Sequence, residues 1–163
     1  MVAKLTSTVV HGFKRGRSIG FRTANLDTEG MCSMLKILPT GVYMGWATVN
    51  REQPAVPAVV SVSKNPTFNL DKLNVEAHLL KEFENEFYGE DINLVLTGFM
   101  RPDMKFNGLD ELKESIAGDV QFAKDLLKDP RTMKYSTDEF LFSKTKTLIT
   151  EDYIDQSAQE LEI

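Results

Sequence analysis

Hydrophobic and polar residues alternate in short runs over the first two-thirds of the chain, and Gly, Pro and Asn break the runs apart. Val42–Val49 shows the alternation best. Val42, Met44, Trp46 and Thr48 fall on one face, and Tyr43, Gly45, Ala47 and Val49 on the other. A period of two is the mark of a strand. Thr6–His11 mixes β-branched with polar positions, Ala58–Val62 is an apolar run too short for a helix, and Asn93–Met100 reads as a further strand. Pro39-Thr40-Gly41 and Asn65-Pro66 are turn punctuation. Several short strands at this spacing predict a small antiparallel barrel or sandwich.

One helix is clear. Leu109, Leu112, Ile116, Val120, Ala123 and Leu127 recur at helical spacing, with Glu111, Lys113, Glu114 and Lys124 on the opposite face. Asn107 is the expected cap, with Asp110 three positions on, and Pro130 the expected stop. Phe140-Leu141-Phe142 is a later apolar run, and an acidic tail follows from about 144 to 163. Residues 73–88 fit two patterns. Val75, Leu79, Leu80, Phe83 and Phe87 make a helical face, which periodicity favours. Val75, Ala77 and Leu79 also make one face of a strand, which would put Glu76 and His78 together on the other. No repeat, low-complexity stretch or linker divides the chain, so a single domain over 1–163 is expected.

Charge narrows the classes of partner. The net charge is −5, which argues against a general nucleic-acid binder. Yet Lys14, Arg15, Arg17 and Arg22 crowd one segment, while acids dominate 82–91 and 151–162. A local basic site on an acidic chain suits a small anionic ligand. The single cysteine, Cys32, leaves no internal disulfide and no cysteine-based metal site, which points to a reducing compartment and a cytoplasmic location. No apolar run approaches the ~20 residues that span a bilayer, and the N-terminus has no secretory pattern. A monomer that engages neither membrane nor nucleic acid is expected.

The chemistry gathers near the N-terminus. A glycine-bracketed basic loop, Gly12-Phe13-Lys14-Arg15-Gly16-Arg17, leads into Gly20-Phe21-Arg22-Thr23-Ala24-Asn25-Leu26. Thr23 and Asn25 offer a hydroxyl and an amide oxygen, hard donors of the kind Mg²⁺ takes alongside phosphate oxygens and water. The loop has no Walker pattern and no Gly-x-Gly-x-x-Gly. Taken alone it is equally a structural turn, and Thr-x-Asn is common in turns. Glu76 beside His78 is a candidate acid–base pair, although a solvated surface pair is the usual fate of such residues. Nothing marks a nucleophile elbow, so a hydrolase triad is not supported. Phe83, Phe87, Tyr88 and Phe99 are core candidates, with the lining of a flat ring ligand as the minor reading.

Seven segments occur together in the order of a known family. They are Val9-Val10-His11-Gly12-Phe13-Lys14-Arg15-Gly16, Gly20–Leu26, Gly41–Ala47, Val59-Val60-Ser61-Val62-Ser63-Lys64-Asn65-Pro66, Glu76-Ala77-His78-Leu79-Leu80, Glu86-Phe87-Tyr88-Gly89 and Gly98-Phe99-Met100-Arg101-Pro102. Over about 9–143 the chain resembles the riboflavin kinases, and most closely the single-domain eukaryotic type, for which no adenylyltransferase domain is expected ahead of it. The resemblance implies a mainly β fold: a six-stranded antiparallel Greek-key barrel with a C-terminal helix packed against it. It also implies that 75–80 is a strand.

The resemblance further implies transfer of the γ-phosphate of ATP to the 5′-hydroxyl of riboflavin, giving FMN and ADP. It assigns Mg²⁺ to Thr23 and Asn25; Mn²⁺ or Zn²⁺ would also suit an oxygen-rich site. Glu76 becomes the base. ATP would meet Gly12, Lys14, Arg15, Arg17, Leu79, Lys81 and Tyr88, and the flavin would meet Arg101, Met104 and Glu111. The chain departs from the family's pattern where Arg22 replaces a proline and where Lys14 and Ser63 replace glycines. A catalytically weak flavin- or nucleotide-binding module is the alternative these departures keep open.

Overall fold

A computed structural model describes residues 3–11, 23–29, 38–64, 73–83 and 86–144. Six strands are present: β1 (Ala3–Val10), β2 (Ala24–Leu26), β3 (Gly41–Val49), β4 (Val56–Lys64), β5 (Leu73–Leu79) and β6 (Asp91–Arg101). They close antiparallel in the order β1-β2-β5-β4-β3-β6. β3, β4 and β5 follow one another as neighbours, and β6 returns to lie beside β3. That is the Greek-key arrangement, and closure leaves no open edge.

Period-two alternation divides each strand between an inside and an outside. Leu5, Val9, Tyr43, Ala47, Val60, Val62, Val75, Ala77, Ile92 and Leu94 fill the lumen. The two faces expected of β3 are both seen: Tyr43 and Ala47 point in, while Val42, Met44 and Trp46 point out and join a second apolar cluster. Gly45 lies on the inner face where β3 crosses β6. A Cβ there would stand 2.1 Å from the Val95 carbonyl oxygen, so only glycine fits.

The outer cluster is covered by α1 (Leu109–Leu126), through Ala123 and the C-cap residue Leu127, and by the 3₁₀ turn Glu139–Phe142, through Phe140 and Leu141. Two buried polar residues of the outer wall pin that turn. Asn93 Nδ2 donates to the carbonyls of Phe140, Leu141 and Ser143 at 3.1, 3.3 and 3.2 Å, and its Oδ1 accepts from Thr6 Oγ1. The Thr48 hydroxyl donates to the Leu141 carbonyl. These bonds satisfy groups whose burial would otherwise be costly.

One expectation for the helix ends is corrected. Gly108, not Asn107, is the N-cap of α1, and no side chain caps it. Glu111 instead reaches back, its Oε2 accepting from the Asn107 N–H at 2.9 Å. Pro130 does follow the end of α1, but it also opens α2 (Pro130–Met133), where its missing N–H is no loss and the Asp129 side chain accepts from the Arg131 N–H. No helix among the described residues is long and apolar enough to cross a membrane.

A carboxylate and an amide oxygen on the outer wall of the barrel

β5 is a strand, against the helical periodicity of 73–88. Val75, Ala77 and Leu79 are buried in the lumen, and that burial decides the matter. Asn74, Glu76 and His78 therefore project outward. On the neighbouring strand, Ala24 and Leu26 fill the lumen and Asn25 points the opposite way.

Register brings the two outward residues together. Asn25 lies directly opposite Glu76 across β2 and β5, and Ser61 of β4 lies opposite Glu76 on its other side. The level continues from Ser61 to Val42 of β3 and from Val42 to Arg101 of β6, while Val10 of β1 adjoins Asn25. One row thus crosses the outer wall: Val10, Asn25, Glu76, Ser61, Val42, Arg101. Neighbouring strands lie about 4.8 Å apart, so Glu76 and Arg101, three strands apart, stand roughly 14 Å from one another.

Asn25 is only 6% exposed, and its Oδ1 finds no hydrogen-bond partner among the described residues. A buried carbonyl oxygen without a donor costs free energy unless something else meets it. It stands beside the half-buried Glu76 carboxylate, whose Oε1 accepts from Asn74 Nδ2 at 3.1 Å. A hard, lone acceptor next to a carboxylate fits a divalent cation with phosphate oxygens. Thr23 immediately precedes β2 and is half-buried. His78 is pushed below the usual histidine range, first by burial and then by the charge of Lys124 on α1.

Arg101 is aimed by a register slip. Between the Tyr43–Phe99 and Val42–Arg101 pairs β6 gains one residue, Met100, which packs with the outer cluster. Arg101 then reaches α1. Its Nε and Nη2 donate to Asp119 Oδ1 and Oδ2 at 3.0 and 2.8 Å, and its guanidinium lies 5.8 Å from the centroid of the Phe106 ring. A bulge that re-aims a side chain is a common device beside functional sites.

The remaining expected positions scatter around this row. Tyr88 stacks on His11 with ring centroids 3.7 Å apart, at the end of β1 that leads to Gly12. Lys81 is exposed, with its ammonium 5.5 Å from the Phe83 ring centroid. The Leu79 side chain lies in the lumen, so only its backbone faces a ligand on the outer wall. Met104 is exposed, and Glu111 holds the N-terminus of α1. Gly12, Lys14, Arg15 and Arg17 lie outside the described residues, as does Arg22. Asn74, Ser61 and Asp119 were not foreseen. Period-two spacing before Glu76 was the available signal for Asn74, while Ser61 and Asp119 needed the register.

Comparison with known proteins places this architecture. The model of the family described as flavokinase, riboflavin kinase, matches residues 2–127. The riboflavin kinase of Homo sapiens is 35% identical over 142 residues, covering 86% of this chain and 91% of the human protein. A bifunctional riboflavin kinase/FMN phosphatase of Arabidopsis thaliana is 36% identical over 134 residues, covering 82% of this chain and 35% of the plant protein. Among solved structures, riboflavin kinase from Trypanosoma brucei superposes with a TM-score of 0.72 at 28% identity, covering 91% of this chain and 94% of that one.

Fold and comparisons together define a small-molecule kinase built on a closed antiparallel barrel. The chain belongs to the riboflavin kinase family, whose reaction is the phosphorylation of riboflavin to FMN.

Proposed function

We propose that the chain transfers the γ-phosphate of ATP to the 5′-hydroxyl of riboflavin, releasing FMN and ADP, with Glu76 as the general base. The observation that carries this reading is the pairing of Asn25 with Glu76: a buried amide oxygen, unpartnered among the described residues, directly opposite a carboxylate.

Glu76 takes the proton of the 5′-hydroxyl as that oxygen forms its bond to the γ-phosphorus. The bond from the γ-phosphorus to the bridging oxygen breaks in line, and its electron pair leaves with ADP. Asn25 Oδ1 and the Thr23 hydroxyl would hold Mg²⁺. When bound, the ion supplies positive charge to the triphosphate oxygens as negative charge shifts to the leaving group. The outer wall positions the vitamin: Ser61 lies level with Glu76, and Arg101 with Met104 and Glu111 would border the ring. Tyr88, Lys81, Gly12 and the backbone at Leu79 would border the nucleotide, with Lys14, Arg15 and Arg17 offsetting phosphate charge. Positioning and electrostatics supply most of the rate in such transfers.

The test is to incubate the protein with ATP, Mg²⁺ and riboflavin, separate the flavins by chromatography and follow ADP in a coupled assay. FMN and ADP in equal amounts support the reading. Affinity for both substrates without turnover would make the chain a binding module instead.

A further inference from the structure

Asn74 neither takes the hydroxyl proton nor would hold the metal, yet it makes a direct contact with the proposed base. It lies two residues before Glu76 on the same outward face of β5, opposite Ser63 of β4. Its Nδ2 donates to Glu76 Oε1 at 3.1 Å. The reverse orientation of the amide would set its oxygen against a carboxylate oxygen, so the donor sense is fixed by charge.

We propose that Asn74 is a positioning residue for Glu76, occupying Oε1 so that Oε2 alone is presented to the substrate hydroxyl. This inference rests on the assignment of Glu76 as base.

Three features support it. Glutamate carries three side-chain torsions, and a base must sit within hydrogen-bond reach of the proton it takes. A neighbour that ties one oxygen removes much of that freedom before substrate arrives. The flanking groups at the level of Glu76 are neutral, Asn25 on β2 and Ser61 on β4, so neither clamps the carboxylate by charge. The tether is itself a neutral amide. A lysine or arginine in its place would hold the carboxylate as firmly, but would also make it a weaker base.

The test uses Asn74→Leu, close in size but without a donor, and Asn74→Gln, which keeps the amide on a longer stem. Asn74→Leu is expected to lower kcat roughly tenfold, the scale of one hydrogen bond to a charged group. KM for ATP and for riboflavin should stay within about twofold, and ATP affinity by calorimetry should be unchanged. Asn74→Gln should recover most of the lost kcat. Should the leucine variant fold poorly, Asn74→Asp removes the donor at constant shape and adds a like charge, and its kcat should fall at least as far. A kcat for Asn74→Leu within twofold of the parent overturns the proposal, as does a loss carried wholly by KM. Glu76→Gln, assayed alongside, separates the two readings: if it is inactive while Asn74→Leu is not, positioning by Asn74 fails and the base stands. If Glu76→Gln turns over normally, the base and its positioning residue fall together.

Discussion

Asn25 and Glu76 face each other across the β2–β5 pair on the outside of the barrel, and Asn25 brings a buried carbonyl oxygen that no donor meets among the described residues. Natural proteins rarely leave such a group unsatisfied without a use for it. Its position beside a carboxylate gives that use a specific chemistry.

Replacing the proposed base should separate binding from turnover. Glu76→Gln keeps the shape and the capacity to hydrogen bond but cannot accept the hydroxyl proton. A fall in kcat of at least about a hundredfold is expected, with ATP affinity by calorimetry within about twofold. Near-normal FMN production would remove Glu76 from the chemistry.

The amide oxygen should report itself through the metal. In Asn25→Ala the Mg²⁺ concentration for half-maximal activity is expected to rise roughly tenfold, the scale of one lost polar contact. The titration is run at saturating ATP and riboflavin. A midpoint that does not move assigns the cation to other groups.

Asp119→Asn should loosen the join between β6 and α1. The Arg101–Asp119 pair is two-pronged and mostly shielded, with side chains 21% and 12% exposed. Losing its charge should cost about 1–3 kcal/mol of unfolding free energy in urea. Riboflavin KM should also rise more than ATP KM, because Arg101 stands at the far end of the row from Glu76. Equal shifts in both KM values would separate this ion pair from the flavin.

His78 gives the fold a pH dependence of definite sign. Its folded pKa is lowered by burial and by Lys124, so the unfolded chain binds a proton that the folded chain resists. The stability linked to this group is complete above the ordinary value of about 6.5. It declines as the pH falls from there toward the folded pKa, and levels off below it. Urea midpoints between pH 7.5 and 5 should therefore fall less steeply for His78→Gln than for the parent. Parallel slopes would show that His78 does not contribute.

How much could be read in advance varied with the physics of each element. β3 was legible to the single residue, because both of its faces are packed and alternate cleanly between lumen and outer cluster. β5 was not. Leu80 and Phe83 continue its apolar positions at helical spacing; the family resemblance implied a strand over 75–80, and the burial of Val75, Ala77 and Leu79 in the lumen bears it out. The cap of α1 was misplaced, because Glu111 serves the Asn107 N–H from within the helix. Glu76, Asn25 and Arg101 were nameable from motif resemblance, but their common row follows from strand register and from the slip at Met100, neither of which is written in local sequence.

Because every strand turns alternate residues inward and outward, the packing of the lumen and the proposed chemistry occupy opposite sides of one sheet. Val60, Val75 and Leu94 look into the lumen, while Asn25, Glu76 and Ser61 look away from it. A hardier version of this enzyme could be sought by redesigning the interior alone, as a jeweller rebuilds a movement without touching the dial.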